Sequence, residues 1–194
     1  MAGKHNNPFF SKTFSLIELM LVVSIIAILA ILIINIMSSA RIEAKASKIL
    51  DLAEAVKHSC KMYESDTGTF VQSSTAMPFD PLWQGLTQDD GSPGWNGPYM
   101  QEPLTIEDNP FRGMIWVAQN INADYDLDGD GSADVAAGNP GNAILFYDVP
   151  EKAAQYIDAS LDRAIAGDWK VTGRVRYEPG PPLTGVAIYL IGGR

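Results

Sequence analysis

An acidic segment between residues 124 and 134 holds the side chains best suited to bind a metal. Five aspartates recur there at short intervals, with glycines among them: Asp124, Asp126, Asp128, Gly129, Asp130, Gly131 and Asp134. Ca²⁺ is a hard ion that takes about six to eight oxygen ligands, and glycine permits the sharp turn that gathers alternate carboxylates around one point. The spacing therefore predicts a calcium loop built from these five carboxylates.

Two ligand registers fit this segment. A loop of the EF-hand kind would start at Asp124 or at Asp126, but the position where an EF-hand carries glutamate then holds Val135 or Ala137. No two obvious helices flank the segment either. It is therefore interpreted as a calcium loop outside the EF-hand fold, and the alternative is a solvated acidic turn.

Other groups with catalytic chemistry are scarce in this sequence. Its two histidines are His5 and His58, and it contains no Gly-x-Ser-x-Gly, His-Glu-x-x-His or P-loop pattern. An aspartate-nucleophile phosphatase would need a strand that ends directly on its nucleophile, but residues 119–123 intervene before the acidic segment. We therefore expect no enzyme and no organic cofactor. The formal net charge of −9 also argues against nucleic acid as a partner.

A long apolar segment near the N-terminus carries a single carboxylate. Between residues 14 and 34 only Ser15, Glu18 and Ser24 are polar. At about 1.5 Å per residue a helix of this length crosses the roughly 30 Å hydrocarbon core of a bilayer. A carboxylate there is costly and usually has a partner or lies near the interface. Glu18 is therefore expected to pair with a cation.

The residues that flank the apolar segment predict its topology. Lys4, His5 and Lys12 precede it, and positive flanking charge tends to stay in the cytoplasm, so we expect a single-pass protein with its N-terminus inside. A cleaved secretory signal is an alternative, because residues 38–40 are small. The apolar run nevertheless exceeds the roughly 7–15 residues of a signal sequence. A plain signal anchor would leave the carboxylate of Glu18 unexplained.

The stretch from residue 12 to 20, KTFSLIELM, resembles the prepilin signature of the type IV pilin and type II secretion pseudopilin family. The resemblance implies a leader of residues 1–13, cleavage by prepilin peptidase between Thr13 and Phe14, and N-methylation of Phe14. Thr13 stands where the family usually has glycine. The resemblance also implies that Glu18 pairs with the N-terminal amine of a neighbouring subunit, and that residues 14–37 form both the transmembrane helix and the filament core.

A functional expectation follows from this resemblance. The chain would be a structural subunit of a type IV pilus-like filament, made in the bacterial inner membrane and assembled with copies of itself or with other pilins. A major-type pseudopilin of a type II secretion system, in a periplasmic pseudopilus rather than a cell-surface pilus, is the close alternative. An alternative of another class is a signal-anchored monomeric calcium-binding module.

Residues 38–66 predict an amphipathic continuation of the same helix. Apolar residues recur there with alternating spacings of four and three, which is the pattern of one buried helix face. The face consists of Ile42, Ala46, Ile49, Ala53, Val56, Cys60 and Tyr63. Gly68 is expected to end the helix. Cys60 lies on the apolar face, so a core thiol is expected rather than a reactive one.

Residues 67–194 predict an extracytoplasmic pilin-like domain of α+β class. Strands are expected at 114–118, 143–147, 170–177 and 185–191, with the turn-forming residues 179–182 between the last two. Asp148 and Glu151 have capping-box spacing and predict a helix that continues through Ile165. The whole fold is thus a long N-terminal helix packed on a small antiparallel sheet, with an acidic loop and an additional C-terminal helix.

A loop of this domain carries a second, partial resemblance. Residues 95–100, WNGPYM, followed by residues 109–113, NPFRG, are similar to the loop of the major pseudopilin, where a Gly-Pro-Tyr element precedes an Asp-Pro-Trp-Gly element. Asn109 replaces the aspartate, Phe111 replaces the tryptophan and Arg112 is an addition. Trp95, Tyr99 and Phe111 are expected to fill the loop's own core, with partner recognition as the alternative.

Overall fold

The computed structural model describes residues 15–72, 83, 85–121, 123–163, 165–180 and 184–192, without the side chains of 34–36. The leader, Thr13 and Phe14 lie outside the described residues. The chain divides into two compact units between Ala40 and Arg41.

The first unit contains the apolar part of the helix α1, which has the bounds Leu16–Thr67. No glycine or proline interrupts the sequence of α1. Every side chain from residue 15 to 33 is exposed, and the large apolar ones are between 49% and 76% accessible. The most apolar 18-residue window of α1 has a mean hydropathy of 3.1. By length and composition α1 is therefore able to serve as a membrane span or a signal anchor.

In the second unit, the remaining part of α1 presents one buried face. The predicted apolar positions from Ala46 to Tyr63 are all buried, and Ile42 is half-buried. Gly68 follows the last helical residue with φ of +70° and donates its N–H to the Glu64 carbonyl oxygen at 2.8 Å. This left-handed conformation suits glycine, which lacks a Cβ. The predicted face and the predicted helix end are both confirmed.

Four strands form one antiparallel sheet in the order β1-β2-β4-β3. Their bounds are β1 Ile115–Asn120, β2 Pro140–Tyr147, β3 Val175–Glu178 and β4 Gly185–Gly192. Alternate side chains of these strands share one hydrophobic core with the buried face of α1, because successive residues of a strand point to opposite faces of the sheet. The predicted α+β class is confirmed.

The second helix, α2, has the bounds Glu151–Leu161 and begins differently from the prediction. Its N-cap is Pro150, and no side chain caps it. Asp148 instead has φ of +60° and donates its backbone N–H to the Thr184 carbonyl oxygen at 2.7 Å. The predicted capping box is wrong, because the backbone of Asp148 belongs to the turn that ends β2. Ile165 also lies outside α2.

The strand predicted from Lys170 begins only at Val175. The N–H groups of Val171 and Thr172 both donate to the Asp168 carbonyl oxygen at 2.9 Å, and the chain turns there. Gly173 follows with φ of +92°. Residues 170–173 therefore form a turn, which the apolar and β-branched side chains on either side did not reveal. Residues 181 and 182 of the predicted turn before β4 lie outside the described residues.

Candidate metal loop and assembly segment

Three of the five predicted metal ligands converge in the structure. Asp126, Asp128 and Asp130 each offer one carboxylate oxygen, and these three atoms all lie within 4.8 Å of one another. Asp128 and Asp130 are exposed and Asp126 is half-buried. Clustered carboxylates repel one another unless a cation or solvent screens them. Hard oxygen ligands on a tight, exposed turn fit Ca²⁺ in type, and the rest of its coordination sphere would come from water or backbone carbonyls.

Backbone N–H groups hold these carboxylates in place. Asp126 accepts from Gly129 at 2.7 Å through Oδ1 and from Gly131 at 3.0 Å through Oδ2. Asp128 Oδ1 accepts from the N–H two residues further on at 3.1 Å, and Asp130 Oδ1 does the same at 2.7 Å. Gly129 and Gly131 have φ of +81° and +89°, which allows the chain to curl around the carboxylates. The loop is thus ordered by its own aspartates.

The other two predicted ligands, Asp124 and Asp134, lie outside this convergent group and close the base of the loop. Asp134 Oδ2 accepts from the Leu127 N–H, and Asp124 Oδ1 accepts from the Ala137 N–H, both at 2.7 Å. Alternate spacing along the sequence did not distinguish these two roles. Only the folded loop separates the three converging carboxylates from the two that fasten its ends.

A small buried cluster and a turn far along the chain both support the acidic loop. Tyr125 is fully buried in a small cluster with Ile121 and Val135, and burial raises the pKa of its phenol well above the ordinary range. The Gly173 N–H donates to the Asp126 carbonyl oxygen at 2.7 Å. The loop therefore rests on the turn before β3. The sequence did not predict this contact, because no local pattern joins positions so far apart.

Glu18 has a structural partner within its own helix turn. The Ser15 N–H donates to Glu18 Oε2 at 2.9 Å, and Ser15 Oγ accepts from the Ile17 N–H at 3.4 Å. Ser15 and Glu18 have the Ser-x-x-Glu spacing of a capping box, a local signal that was missed in the sequence. Because helix N-termini expose unpaired N–H groups, this carboxylate helps to start α1. Capping leaves the negative charge of Glu18 without a cation among the described residues.

The aromatic side chains of the loop between α1 and β1 pack within the second unit. Trp95 and Tyr99 meet edge to face with ring centroids 5.9 Å apart, and Trp95 Nε1 donates to the Gly85 carbonyl oxygen at 2.8 Å. Tyr99 also contacts Tyr63 of α1 edge to face. Phe111 is half-buried against the same core. These contacts favour the expectation that the aromatic residues fill a core.

Asn109 is a further buried polar residue in this loop. Its side chain is fully buried, and its Nδ2 donates to the carbonyl oxygens of Gly113 at 3.0 Å and of Tyr147 at 2.9 Å. Its Oδ1 accepts from the Phe111 N–H at 2.9 Å. An aspartate at this position would have no N–H to donate, so the structure supplies a physical reason for asparagine at position 109.

Cys60 has the environment of a core thiol. It is fully buried on α1, and burial raises its pKa to about 12. A thiol that keeps its proton at neutral pH is a poor nucleophile and a poor metal ligand. The expectation that Cys60 is a core thiol is confirmed.

No family model, no curated protein and no solved structure matches this chain. Its function is therefore inferred from the residues themselves, namely the exposed apolar part of α1 with Glu18, and the converging aspartates of the acidic loop.

Proposed function

We propose that this chain is a structural subunit of a type IV pilus-like filament, inserted in the bacterial inner membrane and assembled through its N-terminal helix. The observation that carries the proposal is the uninterrupted exposure of apolar side chains from residue 16 to 33. An apolar surface of this size requires a covering of lipid or of other apolar helices. A filament subunit uses both coverings in turn, first in the membrane and then among its neighbours.

Glu18 would allow this apolar surface to recognise a specific group on a neighbouring subunit. A carboxylate in lipid costs about 2.5–3.5 kcal/mol at the centre of a helix, and Glu18, in the first turn of an otherwise apolar segment of α1, would gain from a cationic partner. Cleavage after Thr13 would create a positively charged amine on Phe14. Between packed helices the effective dielectric is low, and the attraction between that amine on one subunit and Glu18 on the next is stronger than in water. The pair would fix the stagger of neighbouring subunits.

Two other functions remain as alternatives, each with an observation that favours it. The Gly97-Pro98-Tyr99 element, which resembles part of the loop of the major pseudopilin, favours a subunit of a type II secretion pseudopilus. The converging carboxylates of Asp126, Asp128 and Asp130 favour a membrane-anchored calcium module that stays monomeric. Cleavage by prepilin peptidase would distinguish a filament subunit from the monomeric module. The machinery with which the protein assembles would distinguish a pilus subunit from a pseudopilus subunit.

Processing of the N-terminus provides the first test. We expect intact mass and N-terminal sequencing of the membrane-extracted protein to show a chain that begins at Phe14 and carries one added methyl group. A Thr13→Gly variant is the matched control, and it should be cleaved at least as completely, because glycine lets the chain approach the peptidase closely. If both proteins begin at Met1 when the peptidase is present, the monomeric anchored module becomes the better explanation.

Calcium binding provides a separate prediction. Titration calorimetry on the full chain in detergent should show Ca²⁺ binding that Asp128→Asn weakens at least about ten-fold, because asparagine keeps the oxygen that accepts the backbone N–H but loses the charge. Asp89→Asn is the control. Asp89 is exposed and accepts a similar backbone hydrogen bond, from Gly91 at 2.8 Å, in another loop. Equal weakening by both substitutions, or no binding heat in the unchanged chain, would remove calcium from the proposal.

A further inference from the structure

Four peptide bonds outside the helices and strands join an aspartate or an asparagine to a glycine. The four pairs are Asp90-Gly91, Asn96-Gly97, Asp128-Gly129 and Asp130-Gly131. The side-chain carbonyl carbon of such a residue is open to attack by the backbone nitrogen that follows it, because glycine has no Cβ to obstruct the approach. A neutral amide is a better electrophile than a charged carboxylate. The pair with the amide, Asn96-Gly97, is therefore the most reactive of the four by chemical type.

Hydrogen bonds hold the glycine nitrogens of the other three pairs. The Gly91 N–H donates to Asp89 Oδ1 at 2.8 Å. The Gly129 N–H donates to Asp126 Oδ1 at 2.7 Å, and the Gly131 N–H donates to Asp126 Oδ2 at 3.0 Å. A backbone nitrogen whose proton is held by a carboxylate must break that hydrogen bond before it can attack a carbonyl carbon. The loops that contain these three pairs therefore protect them.

The Asn96-Gly97 pair lacks this protection. Asn96 is exposed, and among the residues that the structure describes neither its side-chain amide nor the Gly97 N–H makes a hydrogen bond. The backbone N–H of Asn96 does donate, to Tyr99 Oη at 2.9 Å, so the loop holds this residue through its main chain while the side chain stays free. Solvent thus reaches the amide, and no hydrogen bond restrains the nitrogen that would attack it.

The packing of the loop requires glycine at position 97. A Cβ added there would lie 2.5 Å from Trp95 Cζ2 and 3.1 Å from Tyr99 Cδ2, closer than real side-chain atoms come. These two rings meet edge to face with their centroids 5.9 Å apart. A bulkier residue at position 97 would shield the backbone nitrogen, but it would force the two rings apart. The fold therefore keeps the least protective residue directly after Asn96.

We propose that Asn96 is a site of spontaneous deamidation in the folded protein. The Gly97 nitrogen, which gives its proton to hydroxide, attacks the side-chain carbonyl carbon of Asn96 and forms a new C–N bond. The bond from that carbon to the amide nitrogen breaks, and this nitrogen takes a proton from water and leaves as ammonia. Water then opens either carbonyl of the resulting succinimide ring, which gives aspartate or isoaspartate at position 96. The reaction needs only water and hydroxide, and it does not depend on the proposed filament function.

The two products differ in their effect on the loop. Aspartate leaves the main chain as it is and adds a negative charge at an exposed position. Isoaspartate carries the main chain through the former side chain, and the added atom should displace Gly97 from its tight fit against the Trp95 and Tyr99 rings. The hydrogen bond that Tyr99 donates to Asp66 Oδ2 at 2.9 Å should weaken as a result. Aged protein that carries isoaspartate should therefore unfold at a lower urea concentration than the Asn96→Asp variant, which represents the aspartate product alone.

The experiment measures the rate of deamidation at Asn96 in the full chain. The protein is kept in detergent at pH 6.5 and at pH 8.5, with parallel samples unfolded in urea, and peptide mapping by mass spectrometry follows the conversion of the amide to a carboxyl group. We expect the reaction to be at least about ten-fold faster at the higher pH, because the attacking nitrogen must lose its proton. In the folded chain it should be less than about ten-fold slower than in urea, because no hydrogen bond has to break first.

Asn96→Gln is the matched control, because the longer side chain would have to close a larger and less favourable ring, so no conversion is expected at position 96. Asn120 is a control within the same chain, because β-branched Ile121 follows it and donates its N–H to the Asn139 carbonyl oxygen at 3.0 Å. The proposal is overturned if folding slows the reaction at Asn96 by about ten-fold or more relative to urea, which would show that the loop protects this pair as well. Equal conversion of Asn96→Gln and the unchanged chain would also overturn it.

Discussion

Glu18→Ala is expected to abolish filament assembly while the unit from Arg41 onward stays folded. The substitution removes the only charge between residues 14 and 34, and with it the counter-ion for the amine of a neighbouring subunit. The apolar surface that remains still inserts into a membrane, because alanine costs far less in lipid than a carboxylate does. The expected phenotype is therefore normal membrane-bound protein and no filaments in the sheared surface fraction, scored by electron microscopy and by immunoblotting.

Glu18→Gln separates the two roles that Glu18 has in this structure and in the proposal. Glutamine can still accept the Ser15 N–H at the start of α1, as it does in a capping box, but it carries no charge. We expect this variant to fail in assembly as Glu18→Ala does. Assembly at the normal level with glutamine would mean that Glu18 acts only as a helix cap, and the proposed pairing with the amine would be rejected.

Asn109→Asp is expected to cost about 3 kcal/mol or more of the free energy of unfolding, although the two side chains have nearly the same shape. The change replaces a donor of two hydrogen bonds by an acceptor, so the carbonyl oxygens of Gly113 and Tyr147 would face a buried carboxylate. Urea unfolding of the full chain in detergent at pH 7.5 measures the loss. The loss should be smaller at acidic pH, where the introduced carboxyl binds a proton and can donate one hydrogen bond.

Asn96→Asp serves as the control for this prediction. Asn96 lies in the same loop region but is exposed, so the new charge stays in water and the expected change is within about 0.5 kcal/mol. A loss at position 109 as small as the loss at position 96 would show that the hydrogen bonds of Asn109 do not stabilise the fold. The need for a donor at position 109 would then no longer explain why asparagine stands there.

The α+β class and the buried face of α1 could be predicted from sequence because their signals are local. Spacings of three and four residues place Ala46, Ile49 and Val56 on one helix face in any surroundings. Gly68 could be identified as the helix end because the positive φ of that position suits glycine. The capping box of Ser15 and Glu18 is equally local, because its Ser-x-x-Glu spacing is present in the sequence itself.

The errors fell where specific backbone hydrogen bonds override an average sequence preference. Asp148 has good capping spacing, but its backbone is committed to the turn that ends β2 and to the Thr184 carbonyl oxygen. The apolar and β-branched residues around Lys170 favour a strand, yet the Asp168 carbonyl oxygen accepts two N–H groups and turns the chain before β3 begins. In both places, hydrogen bonds to a specific carbonyl oxygen outweighed an average preference.

The sequence by itself determined that this chain has an apolar helix, a helix with one buried face, several strands and an acidic loop, because composition and periodicity act over a few residues. Only the tertiary structure decided which aspartates converge and that the side chain of Asn109 must donate hydrogen bonds. These properties depend on burial and on the approach of residues such as Asp126 and Gly173 from distant parts of the chain. Packing sets such distances, and spacing along the chain does not encode them.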